Sequence, residues 1–276
     1  MAVLEGRAAL ITGSGRGIGR AAAALLVEHG ASVLVNDLDA EAAERAASEL
    51  GERAVAFAGN VVEHGVAEAM VARAVEAFGR LDIVVNNAGY TWDGVIHRMT
   101  DEQFQAMLDV HTVAPFRVLR AAAPHMRDAA KAELEAGGTP IFRKVVNVSS
   151  ISGLMGNAGQ VNYAAGKAGL IGLTKTLARE WGQFLINVNA VAFGFVETRL
   201  TAAKEDAGTL EIDGREIALG IPAQFRELAA STIPLGRPAT PEEAAGGIFF
   251  LCSPWSNFVH GQVLNVTGGQ VAGMGS

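Results

Sequence analysis

The sequence predicts an α/β fold, a single domain built on a seven-stranded parallel sheet with helices on both faces. Three observations predict it. Short runs such as "LDIVV" and "KVVNV" are nearly continuous in apolar residues, the pattern of strands covered on both faces. These runs alternate with longer stretches of helical periodicity along almost the whole chain, which implies parallel strands joined by right-handed crossovers. Nothing in the 276 residues reads as a linker or an internal repeat, so residues 1–276 are expected to form one unit.

Each element has a local justification. "RAALIT" (7–12) is the first strand, and "IGRAAAALLVEHG" (18–30) a helix that Gly30 stops. "SVLVN" (32–36) is the second strand, and "AEAAERAASEL" a helix ending at Gly51. "RAVAF" (53–57) is the third, followed by a helix over about 63–78, and "LDIVVNNAG" carries the fourth. A long helix follows "TDEQF", with Thr100 placed to cap it. "RKVVNVSS" is the fifth strand, "YAAGKAGLIGLTKTLAREW" a helix and "INVNAVA" the sixth strand. "TPEEAAGGIFFLC" opens a helix with Thr240 as cap and Pro241 in its first turn, where a missing N–H is harmless. "QVLNV" closes the sheet as its seventh strand. Two segments break the rhythm. Residues 128–142 lengthen the connection into the fifth strand, and 199–239 form a long excursion before the last helix. Connections of that length are usually functional loops or lids, so the second is expected to cover a substrate pocket.

Composition narrows the classes of function. Apolar residues make up 50% and charged residues 18%, the balance of a globular chain. A net charge of -7 argues against a nucleic-acid surface and a polybasic membrane patch. The one cysteine, Cys252, excludes an internal disulfide and a cysteine-based metal cluster, and no metal is expected. "MAVLEGRAALITG" has no basic stretch ahead of an apolar core, and no apolar run reaches the roughly 18 residues of a spanning helix. The expectation is a cytoplasmic protein without nucleic-acid or membrane partners.

"ITGSGRGIGR" places Gly13, Gly15, Gly17 and Gly19 between the first strand and the first helix. Glycines let a backbone turn tightly and approach a phosphate, and the helix start offers free N–H groups and a positive dipole end. The spacing is Gly-x3-Gly-x-Gly instead of the common G-x-G-x-x-G, but strand before and helix after supply the context of a dinucleotide site. Asp37 ends the second strand about 20 residues on, where an acid commonly accepts hydrogen bonds from the adenosine ribose. It would repel a 2′-phosphate and so favours NAD over NADP. Arg16, inside the glycine loop, pulls the other way. Asp37 carries more weight, because desolvating it beside a phosphate is costly.

Tyr163 and Lys167 lie at i and i+4, on one face of a helix. An ammonium near a phenol stabilises its ionised form, and a phenol so tuned can exchange a proton with a carbinol oxygen. Ser150 ends the fifth strand, where strand ends frame a ligand crevice, and its hydroxyl can bond the same oxygen. Alone, a Tyr/Lys pair at helical spacing is also what chance produces. The whole constellation decides. The sequence resembles the short-chain dehydrogenase/reductase family nearly end to end, from "ALITGSGRGIG" to "GQVLNVTGG". The resemblance rests on Thr12, Gly13, Gly17 and Gly19 of a TGxxxGxG loop, Asn86 to Gly89 as NNAG, Ser150, and Tyr163 with Lys167 as YxxxK. "IPLGRPATPEEAAGGIFFLCS" and "NAGQVNYAAGKAGLIGLTK" are most similar to 3-oxoacyl-[acyl-carrier-protein] reductases, and "VNDL" to NAD-dependent hydroxyacyl dehydrogenases.

That resemblance implies a Rossmann fold and a homotetramer. It implies hydride transfer between NAD(H) and a secondary alcohol or ketone, with a 3-oxoacyl thioester as one candidate substrate. It implies Tyr163 as acid/base, Lys167 lowering its pKa and holding the nicotinamide ribose, and Ser150 orienting the substrate oxygen. Cofactor contacts are implied along Gly13, Ser14, Arg16, Gly17, Ile18 and Gly19. They continue at Asp37, at Asn60 and Val61 beside the adenine, at Asn87, Ala88 and Gly89, and at Thr198 beside the nicotinamide amide. Two positions depart from the family. "MLDVHTVAPF" carries His111 where an asparagine is usual, so either a proton relay that titrates near neutral pH or plain packing is expected there. "VAFGF" carries Phe193 where proline is usual, which leaves the loop beside the nicotinamide open. A non-catalytic nucleotide-binding protein on the same fold is the alternative, and an epimerase using the same cofactor a more distant one.

Overall fold

A computed structural model describes residues 2–139, 141–212 and 214–271, with only the backbone of Phe225. In chain order the first half comprises β1 (Ala8–Ile11), α1 (Gly17–Glu28), β2 (Ser32–Asp37), α2 (Ala40–Leu50), β3 (Ala54–Ala58), α3 (Val66–Phe78), β4 (Ile83–Asn86), α4 (Asp101–Leu108), α5 (Ala114–Ala123) and α6 (Ala129–Glu135). The second half comprises β5 (Arg143–Ser150), α7 (Ile151–Met155), α8 (Val161–Trp181), β6 (Ile186–Phe193), α9 (Lys204–Ala207), β7 (Thr209–Ile212), β8 (Arg215–Ala218), α10 (Ala223–Ser231), α11 (Pro241–Cys252) and β9 (Val263–Val266). Seven strands form one parallel sheet in the order β3-β2-β1-β4-β5-β6-β9. This is the α/β Rossmann architecture the apolar runs predict.

Successive strand residues feed opposite faces, as the two-residue period of a strand demands. Ile11, Val35, Val85 and Val148 pack with α1, α2 and α11. Leu10, Leu34, Val84 and Val145 pack with α3, α5 and α8. Both expected caps form: Thr100 and Thr240 each accept from the third residue of their helix in full capping boxes. The long helix after "TDEQF" continues to Glu135, so much of the lengthened connection into β5 is helical. Two π turns interrupt it, Asp109–Val113 and Pro124–Asp128. Pro115 follows the first and Pro124 opens the second, and a proline donates nothing to the helical ladder. The described residues of the 199–239 excursion include a short antiparallel hairpin, β7–β8, that strand patterning did not reveal.

At the amino ends of β1, β4 and β5, far from the strand ends that frame the site, Asp82 is 1% exposed. It accepts from Ala8 N at 3.0 Å and from Arg80 Nε and Nη2 at 2.7 and 2.9 Å, with Arg7 and Arg143 within 4.0 Å. Removing the carboxylate takes away both Arg80 bonds and leaves the Ala8 N–H without its acceptor, while Arg143 keeps Glu133 at 2.6 and 3.1 Å, so the cost is about 1–3 kcal/mol. Asp82→Ala is therefore expected to lower the unfolding free energy by that amount, read as a lower urea midpoint at an unchanged slope. A loss below about 1 kcal/mol would show that this cluster does not hold the sheet.

Candidate active site

β1 and β4 lie side by side while the chain leaves them towards opposite edges of the sheet. The crevice at their carboxyl ends is the place where such folds bind ligands. One lock joins the two loops there. Thr12 Oγ1 accepts from the N–H groups of Asn87 (2.9 Å) and Ala88 (3.0 Å), while Asn87 Nδ2 donates to the carbonyls of Thr12 and Gly13, both at 2.9 Å. The contact tolerates no side chain. Gly13 has φ +62°, and a Cβ on it would lie 2.7 Å from Ala88 Cα. A Cβ on Gly19 would strike the Gly13 carbonyl and the Asn87 amide. Ser14 is fully buried and works inside the loop, donating its hydroxyl to Ile11 O at 2.7 Å and its N–H to Asn36 O at 2.6 Å.

The residues present fit a dinucleotide. No side chain caps α1, in contrast to α2, α4 and α11, so the first-turn amides of Gly17, Ile18 and Gly19 point to the crevice without a side-chain partner. A Cβ on Gly17 would find only Thr198 Cγ2, 3.8 Å away, so Thr198 stands across the crevice from the helix start. Asp37 accepts from Gly15 N and Asp39 N, both at 3.1 Å, which fixes its carboxylate at the end of β2. Arg16 turns away to Asp39 at 2.5 Å, and that bond holds the Asp39 carboxyl below its usual range. Asn60 follows β3 and accepts from Val62 N at 3.3 Å, with Val61 buried beside it.

Ser150, Tyr163 and Lys167 come together at the carboxyl end of β5. Ser150 is the last residue of β5 and caps α7, accepting from Ser152 N at 3.2 Å. Tyr163 and Lys167 lie on α8, with Lys167 Nζ 5.6 Å from the Tyr163 ring centre. The ammonium donates to Val148 O at 2.7 Å. Close packing places α8. A Cβ on Gly153 would lie 2.8 Å from Lys167 Cβ, and one on Gly166 would lie 2.9 Å from Met107 O. Gly169 meets Thr112 in the same way, whereas Gly172 faces open space. Burial pushes the Tyr163 phenol up to about 12, a hydrogen bond with Ser150 pulls it back, and the Asp93 charge raises it further. Burial pushes Lys167 down to about 7. Desolvation thus outweighs the lowering of the phenol by Lys167 that the resemblance implies.

His111 sits in the first π turn, 2% exposed, with its ring edge-on to Tyr163 at 4.9 Å. Its Nε2 donates to the Tyr90 carbonyl at 2.8 Å, which fixes the tautomer and leaves Nδ1 as a buried acceptor with no partner among the described residues. A Cβ on Gly89 would run into this ring. Burial, reinforced by the Lys167 charge, drives its pKa well below the usual value. The imidazole is therefore neutral, and the expected titration near neutral pH does not occur. Phe193 ends β6 opposite Ser150 and is buried in the core, so it extends the strand where a proline would stop it.

Two residues escaped the sequence reading. Asn162 is fully buried, donates to Trp92 O (2.9 Å) and Gln103 O (3.0 Å), and accepts from Tyr163 N at 2.8 Å. It anchors the start of α8 to the loop after β4. Asp93, exposed on the loop after β4, accepts from Gln160 Nε2 at 2.9 Å, and desolvation by the groups packed around its carboxyl raises its pKa. An asparagine just before a candidate tyrosine was the one available sign. Among the described residues no group of three His, Cys, Asp or Glu side chains is placed to hold a metal, and no helix is long and apolar enough to cross a membrane.

Comparison with known proteins agrees with this geometry. Residues 13–270 match a family model described as enoyl-(acyl carrier protein) reductase. The chain is 38% identical to the 3-oxoacyl-[acyl-carrier-protein] reductase FabG of Thermotoga maritima, covering 97% of this chain and 99% of that one. It is 36% identical to the FabG of Vibrio cholerae, over 96% and 98%, and 37% identical to that of Escherichia coli, over 96% and 97%. On that match, and with the loop lock, the uncapped helix start and the Ser150–Tyr163–Lys167 cluster in one crevice, the chain belongs to the short-chain dehydrogenase/reductase family of nicotinamide-dependent oxidoreductases.

Proposed function

We propose that this enzyme reduces a ketone to a secondary alcohol, or runs the reverse reaction, with Tyr163 as the proton donor or acceptor, and that its preferred substrate class is a 3-oxoacyl thioester. The observation that carries the reading is the meeting of Ser150, Tyr163 and Lys167 at one strand end beside an uncapped helix start. The thioester class is supported by the relatives, which are 3-oxoacyl-[acyl-carrier-protein] reductases. Bound in the crevice, a nicotinamide cofactor supplies or accepts the hydride at the substrate carbon. Gly17, Ile18 and Gly19 hold its phosphates, Asp37 its adenosine ribose, Asn60 and Val61 its adenine, Asn87 to Gly89 its middle, and Thr198 its amide. In reduction, the Tyr163 O–H gives its proton to the substrate oxygen as charge develops there, and Ser150 donates a second hydrogen bond. The Lys167 ammonium stabilises the phenolate left behind. His111, held neutral by burial, keeps its Nε2 on the Tyr90 carbonyl beside this centre.

Asp37 favours NAD(H) in this reading. Its carboxylate is fixed where a ribose hydroxyl would meet it, and Arg16 is committed to Asp39. We read the assembly as a homotetramer. Support comes from the fully exposed Phe258 and the exposed Trp255, close in sequence to the edge strand β9, and from the tendency of such contacts to close with symmetry.

Two outcomes are expected. Tyr163→Phe loses about 10²–10⁴-fold in kcat while the NADH dissociation constant, read by fluorescence titration, is unchanged; near-normal turnover in that variant would rule out Tyr163 as the proton donor. The same titration on the unmodified enzyme gives tighter binding of NADH than of NADPH, and Asp37→Ala narrows the gap. Tighter NADPH binding would show that Arg16 leaves Asp39 to meet the extra phosphate.

A further inference from the structure

The loop after β4 brings one carboxylate to the reacting phenol. Its backbone is stitched to the start of α8. Gly94 N donates to Gly159 O at 2.8 Å, Gly94 pairs with Gln160 in a single parallel bridge, and Trp92 O receives Asn162 Nδ2. Between these ties Asp93 Oδ2 accepts from Gln160 Nε2 at 2.9 Å. The Gln160 amide has one orientation, because its Oε1 accepts from Ser152 Oγ and Asn157 Nδ2, both at 3.0 Å. Ser152 N in turn donates to Ser150 Oγ at 3.2 Å. The Asp93 carboxylate is therefore held by bonds that lead back to Ser150.

Its charge reaches the reaction centre. After burial, the Asp93 charge is what raises the Tyr163 phenol, against the Ser150 hydrogen bond that lowers it. The cations nearby offset it only in part. Burial pushes Lys167 down to about 7, and its Nζ is committed to Val148 O. Desolvation raises the Asp93 carboxyl itself, while Gln160 and the exposed Lys204 favour its ionised form. His111 is neutral. At pH 8 the centre thus presents a carboxylate beside a mostly neutral Lys167. Like charges in a partly desolvated site repel more strongly than in water.

We propose that Asp93 is a specificity-determining residue that makes the site select neutral carbonyl compounds, such as thioesters, amides and ketones, over free 3-oxo acids. A 3-oxo acid carries its carboxylate two bonds from the carbon whose oxygen meets Tyr163, within reach of the Asp93 charge. The amide of the same acid has the same shape and no charge, and its N–H groups donate to a carboxylate. Discrimination of this kind comes from an unfavourable contact with the wrong substrate as much as from a good one with the right substrate. The inference rests on Tyr163 being the proton donor, because that places the reacting carbon.

Kinetics of the full-length enzyme with NADH at pH 8 compare 3-oxobutanamide with 3-oxobutanoate. kcat/KM is expected to favour the amide by about tenfold or more. Asp93→Asn keeps an acceptor for Gln160 and loses the charge. It is expected to bring the two substrates within about twofold of each other, through a lower KM for the acid, with kcat for the amide little changed. An unchanged ratio would overturn the role of the charge, and an equal loss on both substrates would reduce Asp93 to a structural residue. A preference for the acid in the unmodified enzyme would overturn the proposal outright. Calorimetry on the NADH-saturated enzyme then compares 3-hydroxybutanamide with 3-hydroxybutanoate, neither of which reacts with the reduced cofactor. The same preference for the amide is expected, and its loss in Asp93→Asn. An enzyme inactive on both ketones that keeps this binding ratio would support the specificity role and remove only the reduction reading. Equal binding of both alcohols to the unmodified enzyme would overturn the specificity role.

Discussion

The site depends on one reciprocal lock, Thr12 against Asn87. Two loops from neighbouring strands exchange four hydrogen bonds there, and glycine at 13 and 19 lets the backbones close to contact. The glycine loop and α1 therefore stand at a fixed distance from the loop after β4. That loop continues into Tyr90 and Trp92, whose carbonyls receive His111 Nε2 and Asn162 Nδ2. Asn162 in turn receives the Tyr163 N–H. The glycine-loop crevice and the Tyr163 phenol are thus joined through a chain of part-buried hydrogen bonds, in which His111 Nδ1 is left without a partner among the described residues, and such networks favour one arrangement.

Burial sets the electrostatics of this centre. The cluster is covered by its own loops and by an apolar hairpin, so both the phenol and the ammonium are pushed towards their neutral forms. An ammonium poised at about 7 beside a phenol at about 12 is a different arrangement from a lowered phenol, and it makes the charge on Lys167 the sensitive quantity. His111 does not share in the titration. Its fixed tautomer ties down the Tyr90 carbonyl, a structural task an imidazole performs in the neutral state.

Much of this was legible in the sequence because it follows from local chemistry. Doubly covered strands announce themselves as apolar runs, and "LDIVV" and "KVVNV" became β4 and β5. Thr100 and Thr240 satisfy helix amides three residues on, a relation visible in the spacing. Tyr163, Lys167 and Ser150 were readable as residue types at strand and helix ends. Long-range partners were not. The 162–92 and 162–103 bonds join segments that no periodicity connects. The direction of the phenol shift depends on how deeply the site is covered, and part of that cover is a hairpin of four-residue strands whose pattern was too short to read. His111 looked like a titrating group because its type suggests one, and only its burial removes that behaviour.

The most direct test of the central account is the pH dependence of kcat/KM for ketone reduction, with Lys167→Met alongside the unmodified enzyme. Lys167 is charged below its pKa of about 7 and neutral above it, so the unmodified rate is expected to hold at lower pH and fall as pH rises through that value. The variant is expected to be slow and flat over the same range. A limb near pH 7 that survives in Lys167→Met, or an unmodified plateau from about pH 6 to about 9, would contradict the claim that a buried ammonium supports proton transfer at Tyr163.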